Sequence, residues 1–147
     1  MRRREAARLI FLGAGFAGLG VAIRAPSMDV LASPERYFEE APPSAAPRTL
    51  AMQATPLGGG KLRVQLALTG LALAGICGTG RAGTLEGHVH LFVDGLKRMS
   101  MVTPVATLDD LPPGPHEITV SFSRPPTHRV VTVEGVPLTR SATVTVF

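Results

Sequence analysis

The sequence predicts an all-β fold: an immunoglobulin-like antiparallel sandwich of about seven short strands, preceded by an N-terminal leader helix and a linker. Three observations carry this. From Arg48 onward apolar and polar residues alternate with a period of two, the signature of strands buried on one side. The 16 glycines and 13 prolines among 147 residues break the chain too often for long helices. Turn chemistry also recurs between the alternating runs, and each one-sided strand needs a facing sheet.

The elements follow in order. Thr49–Ala54 is a first strand, closed by Pro56 and the glycines at 58–60. Leu62, Val64, Leu66 and Leu68 alternate with Arg63, Gln65, Ala67 and Thr69 in a second. Residues 70–87 are glycine-rich and read as a bend or long loop. His88–Val93 is a strand ending in Asp94-Gly95, a strong hairpin signal. Met99–Thr103 and Val105–Leu108 are weaker strands. After the rigid turn Leu111-Pro112-Pro113-Gly114-Pro115, alternation returns over His116–Ser123, Arg129–Glu134 and Ala142–Phe147. Antibody domains carry a Cys…Trp…Cys hallmark; this chain has one cysteine and no tryptophan, so the expectation concerns architecture alone.

Three regions are expected: a signal or anchor segment over 1–25, a linker over 26–47 and the β domain over 48–147. Residues 2–8 are basic and 9–23 apolar, the layout of a secretory signal and short of the roughly 20 residues that span a bilayer comfortably. Arg3-Arg4 with a modestly apolar segment also resembles a twin-arginine leader. Val30-Leu31-Ala32 is a tolerable cleavage site. The protein is therefore expected to be periplasmic or secreted, and membrane-anchored only if the leader is retained. Within the linker, Ser33-Pro34 suits the start of two helical turns over Glu35–Glu40, stopped by Ala41-Pro42-Pro43.

Charge excludes one class of partner. The net +4 resides in the leader, where Arg2, Arg3, Arg4, Arg8 and Arg24 face only Glu5; the rest of the chain holds ten basic and ten acidic residues. Without a basic stripe to follow phosphates, nucleic acid is not expected as a partner. Gly13-Ala14-Gly15-Phe16-Ala17-Gly18 has the spacing of a dinucleotide-binding turn. It lacks the βαβ context that gives those glycines their meaning, so no nucleotide is expected. Cys77 is the only cysteine, which excludes an internal disulfide; it reads as a small apolar filler or a loop thiol.

Gly87-His88-Val89-His90-Leu91-Phe92-Val93-Asp94-Gly95, Leu111-Pro112-Pro113-Gly114-Pro115-His116, Thr127-His128 and Pro137-Leu138-Thr139-Arg140-Ser141 follow a strand ending in Thr69-Gly70-Leu71. In that order these pieces resemble a family of exported bacterial domains of unknown function, and the resemblance runs from Leu62 to Phe147. It implies export and a β fold, and it brings no established activity. Some members carry a polar insertion with a further histidine after the Asp-Gly turn, where this chain proceeds directly to Leu96-Lys97-Arg98.

All four histidines, His88, His90, His116 and His128, lie in this stretch. His88 and His90 are two apart on a strand, so their rings leave one face with Cα atoms about 7 Å apart. Two imidazoles so placed reach a single ion, and imidazole suits copper and zinc. His116 and His128 begin later strands that can lie near, and Met99 and Met101 form a second pair able to offer soft ligands. The four histidines are thus candidate ligands for a copper or zinc ion. Two alternatives stay open. The histidines equally suit a purely structural role, His116 sharing the parity of Ile118, Val120 and Phe122 as a histidine bonded to turn backbone would; and His88, His90 and Phe92 suit a face that meets another envelope protein. Catalysis is not expected: Asp109-Asp110 reads as a solvated turn cap, and no nucleophile is placed beside a base.

Overall fold

The computed structural model describes residues 34–75 and 83–147. These residues form strands and the turns between them, with one 3-10 turn at Pro34–Arg36 and no α-helix. Consequently no helix among them is long and apolar enough to cross a membrane. The leader, its glycine motif and Cys77 lie outside the described residues.

The strands are β1 (Phe38–Glu40), β2 (Thr49–Gly58), β3 (Lys61–Thr69), β4 (Leu71–Leu73), β5 (Leu85–Val93), β6 (Leu96–Met101), β7 (Val105–Leu108), β8 (Gly114–Arg124), β9 (Arg129–Val133), β10 (Val136–Pro137) and β11 (Thr139–Val146). Each alternating run in the sequence falls on a strand, but the strand expected over Met99–Thr103 is displaced to Leu96–Met101. The additional ones, β1, β4 and β10, have two or three residues each, too few for alternation to be visible.

Two sheets result. The smaller is antiparallel in the order β2-β3-β7. The larger follows the path β1-β9-β8-β5-β4, with β10 beside β9, β11 beside β8 and β6 beside β5. It is mixed, because β1 runs parallel to β9 and β4 parallel to β5; the purely antiparallel expectation is corrected there. Such pairings join segments distant along the chain, for which no hairpin turn signals the partner.

Alternation builds the core. Leu62 and Val64 of β3 are wholly buried between exposed Lys61, Arg63 and Gln65. Val89 and Leu91 of β5, and Ile118, Val120 and Phe122 of β8, meet them from the larger sheet. Each such side chain removed from water stabilises the fold by about 1.5–3 kcal/mol. Met101 belongs to this core at 2% exposure, and Met99 shares its parity. Neither methionine is thereby on the face carrying His88 and His90.

Residues 34–47 hold more order than a linker. Phe38–Glu40 pairs with Val130–Thr132 of β9 where two helical turns were expected. Short helices are marginal alone, whereas here the backbone gains a sheet partner and both carboxylates find donors. Arg124 Nη1 and the Thr127 hydroxyl donate to Glu39 at 2.8 and 3.1 Å. The Thr132 hydroxyl and the backbone N–H groups of Glu134 and Gly135 donate to Glu40.

Candidate metal centre

Strand β5 is central, flanked by β8 on one edge and by β4 and β6 on the other. Since Val89, Leu91 and Val93 enter the core, His88, His90 and Phe92 leave from the opposite face. Close approach of β5 to β8 depends on Gly87. A Cβ there would stand 2.7 Å from the Phe122 ring, inside van der Waals contact. In register, His88 stands opposite Ser123, and His90 lies between Ser121 of β8 and Ser100 of β6.

His128 comes from the turn joining β8 to β9. After Pro125-Pro126-Thr127 the His128 N–H donates to the Arg124 carbonyl at 2.8 Å. His128 adopts a left-handed conformation, φ 55°, uncommon for residues other than glycine. The ring is thereby returned over the sheet, its centroid 5.0 Å from that of His88 and 5.9 Å from that of His90. Glu39 grips the same turn through Arg124 and Thr127. Although His88 and His90 lie on the outer face, they are only 7% and 9% exposed. Phe92 meets the His90 ring edge-on at 6.4 Å.

Three ring nitrogens converge. His88 Nε2 lies 2.9 Å from His90 Nε2 and 3.1 Å from His128 Nδ1, and all three donors fall within 4.8 Å of one another. An ion about 2.0–2.1 Å from each nitrogen sets neighbouring nitrogens about 2.9 Å apart at a right angle and about 3.3 Å apart at the tetrahedral angle. The two short edges fall in that range; the third, bounded at 4.8 Å against the roughly 4.1 Å that two such bonds can span, requires the His90 and His128 rings to close by less than about 1 Å for one ion to bond all three.

Hydrogen bonding alone serves this arrangement poorly. A ring nitrogen carries either one proton or one in-plane lone pair, yet two nitrogens crowd His88 Nε2. It cannot make a straight hydrogen bond to both. Burial, followed by the neighbouring His128 and Lys97, lowers the pKa of His88. Burial, then Lys97 and the other two histidines, brings His90 down to about 4. Both rings are therefore neutral near pH 7, with lone pairs to offer. No carboxylate or thiol joins the group among the described residues.

His116, the fourth sequence candidate, stands apart. Seven residues along β8 from Ser123, it is about 24 Å away at strand rise. Its Nδ1–H donates to Asp94 Oδ2 at 2.7 Å and its Nε2–H to the Pro112 carbonyl at 2.8 Å. Asp94 Oδ1 also accepts from the Glu117 N–H at 2.9 Å. The backbone bond to Pro112, then the bond to Asp94, raises the His116 pKa. Only the imidazolium can donate to two acceptors at once. His116 thus pins the Leu111–Pro115 turn to the β5–β6 hairpin, where Asp94 and Gly95 have φ 53° and 80°, as a two-residue I′ turn requires.

The sequence concealed the surroundings of the triad. A cavity of about 640 Å³ opens beside it, lined by His88, His128, Ala74, Gly75, Ser100, Val102, Pro125 and Pro126. The Ser123 hydroxyl is fully buried and has no hydrogen-bond partner among the described residues. A signal for the serines existed in the outward parity of Thr119, Ser121 and Ser123; none existed for the cavity, which depends on register and turn geometry. Comparison of the chain with protein-family models and with curated proteins finds no match.

Proposed function

We propose that this chain is an exported, non-catalytic metal-binding domain in which His88, His90 and His128 hold a copper or zinc ion. One observation carries the reading: His88 Nε2 has two further ring nitrogens at 2.9 and 3.1 Å, spacings an ion satisfies and a single lone pair does not. An all-nitrogen donor set suits either metal, and copper(II) binds such sites more tightly than zinc. The shared core of the two sheets supports the immunoglobulin-like sandwich expected from strand spacing. Export rests on the basic and apolar composition of residues 2–23, together with the Gly87–Gly95 motif resemblance. The non-catalytic part rests on the sequence, which places no nucleophile beside a base.

Calorimetry of the full-length protein with copper(II) and zinc(II) at neutral pH tests the site. One equivalent is expected to bind. His88→Ala, His90→Ala and His128→Ala should each weaken binding by more than about a hundredfold, exceeding the 10–100-fold typical of residues that merely support ligands. His116→Gln should leave it unchanged. Absence of stoichiometric uptake overturns the reading, as does a His116→Gln loss equal to that of His90→Ala. Export is tested by fractionation, which should place the chain outside the cytoplasm.

A second reading, contact with an envelope protein, draws on Leu96, Val102 and Val105, exposed by 72%, 49% and 46%. A copper-independent pull-down that depends on Leu96 and Val105 would favour it.

A further inference from the structure

We propose that an ion held by the triad takes its remaining ligand from outside the chain, and that the cavity beside His88 and His128 admits a small organic carboxylate to that position. The inference rests on the metal reading above and adds the chemistry of what the ion binds.

The donor set is the first ground. Three histidines supply three bonds, whereas zinc takes four and copper(II) at least four in its tetragonal sites. Sites with three protein ligands are those that leave a position for water or another donor. Among the described residues no fourth His, Cys, Asp or Glu belongs to the group.

The cavity is the second. Two of the three ligands, His88 and His128, line it, so it gives on to the ion. At about 640 Å³ it falls within the range of small-molecule sites, roughly 300–1,000 Å³. Its other lining side chains are the apolar Ala74, Val102, Pro125 and Pro126 and the hydroxyl of Ser100. Such walls suit a compact apolar body with a single polar head.

Charge selects the head. An imidazole bonded to a metal is neutral, so three of them leave both charges of a divalent ion uncompensated. The local field favours an anion. A carboxylate supplies that charge and a hard oxygen donor that both copper(II) and zinc accept.

The test uses copper(II)-loaded full-length protein, with azide as a probe of the open position and benzoate as a probe of the cavity. Azide is expected to introduce a charge-transfer band and alter the electron paramagnetic resonance spectrum, and benzoate to displace it competitively. Val102→Trp, at an exposed position, should fill the cavity. It should weaken benzoate by about tenfold or more, as overpacking by more than about 1.4 kcal/mol would, while azide and copper affinities hold. Stoichiometric copper uptake with no response to either anion overturns the inference and leaves the metal reading standing. So does a strong thiolate-to-copper band in the loaded protein, since Cys77 would then fill the position. A response to azide without one to benzoate overturns the carboxylate assignment. Failure to take up copper at all overturns both readings together.

Discussion

Replacing His128 by glycine separates the metal site from the fold. In the metal-free protein the change removes ring contacts worth about 1 kcal/mol. It also relieves a left-handed non-glycine residue, which costs about 1–3 kcal/mol. Against this, glycine makes the unfolded chain more flexible, a penalty of about 0.4–1 kcal/mol. These terms nearly cancel, so the metal-free melting temperature should move by no more than about 6 °C, the equivalent of about 1 kcal/mol in a body of this size. Ion binding behaves differently. Copper at about 100 times its dissociation constant stabilises the parent by about 2.7 kcal/mol, which raises its melting temperature by about 16 °C. If losing one of three ligands weakens binding about a hundredfold, the same copper concentration gives the variant only about 0.4 kcal/mol, or roughly 2 °C. Paired thermal melts of parent and variant, with and without copper, read this difference directly. A variant that keeps the parent's full copper-dependent increase would refute the role of His128. One that melts far lower without metal would refute the strain argument.

Four further outcomes are expected. In metal-free protein, NMR titration should place His116 above 6.5 and His88 and His90 below it, following their raised and lowered pKa values. With its folded pKa raised, His116 contributes stability that is complete below about pH 6.5 and lost as pH rises through the folded value. Asp94, its pKa lowered mainly by the His116 bond, contributes above about pH 3.9 and loses its share as pH falls through its folded value. Urea midpoints should therefore decline on raising pH from 6 to about 9, and Asp94→Asn should flatten that decline; an unchanged slope counts against the pairing. Glu39→Ala should weaken copper binding about tenfold by freeing the turn that bears His128, in line with second-shell losses, as calorimetry would show. Gly87→Ala should destabilise the domain by about 3 kcal/mol, at the upper range of overpacking, because β5 must move from the Ser123 carbonyl and the Phe122 ring; an unaltered urea midpoint would contradict the close approach.

The extent to which this fold is legible in the sequence follows from how its information is stored. Strands such as β3 and β8 announce themselves, because burial on one face writes a period of two over many residues. The same parity argument correctly turns His88 and His90 away from Val89 and Leu91, whereas His116, expected among the ligands with a turn-bonded role only as an alternative, belongs to a turn. Local pattern does not reveal that His88 and His90 are nearly buried, since their cover comes from a turn some 40 residues later in the chain. The grouping of His128 with them, and the exclusion of His116, depend on the register of β5 against β8 and on one left-handed backbone angle. The parallel strand β1 was hidden for a related reason: its partner is remote, and Glu39 and Glu40 suit a helix until their donors on β8, β9 and the turns are known.

Because β5 sends Val89 and Leu91 one way and His88 and His90 the other, a slip of one residue against β8 would drive imidazoles into the apolar interior and valine and leucine out to the ligand position. Such a misaligned chain would be defective twice over. A captured ion would then proofread strand alignment, rewarding only molecules in which the sheet has zipped at the correct step.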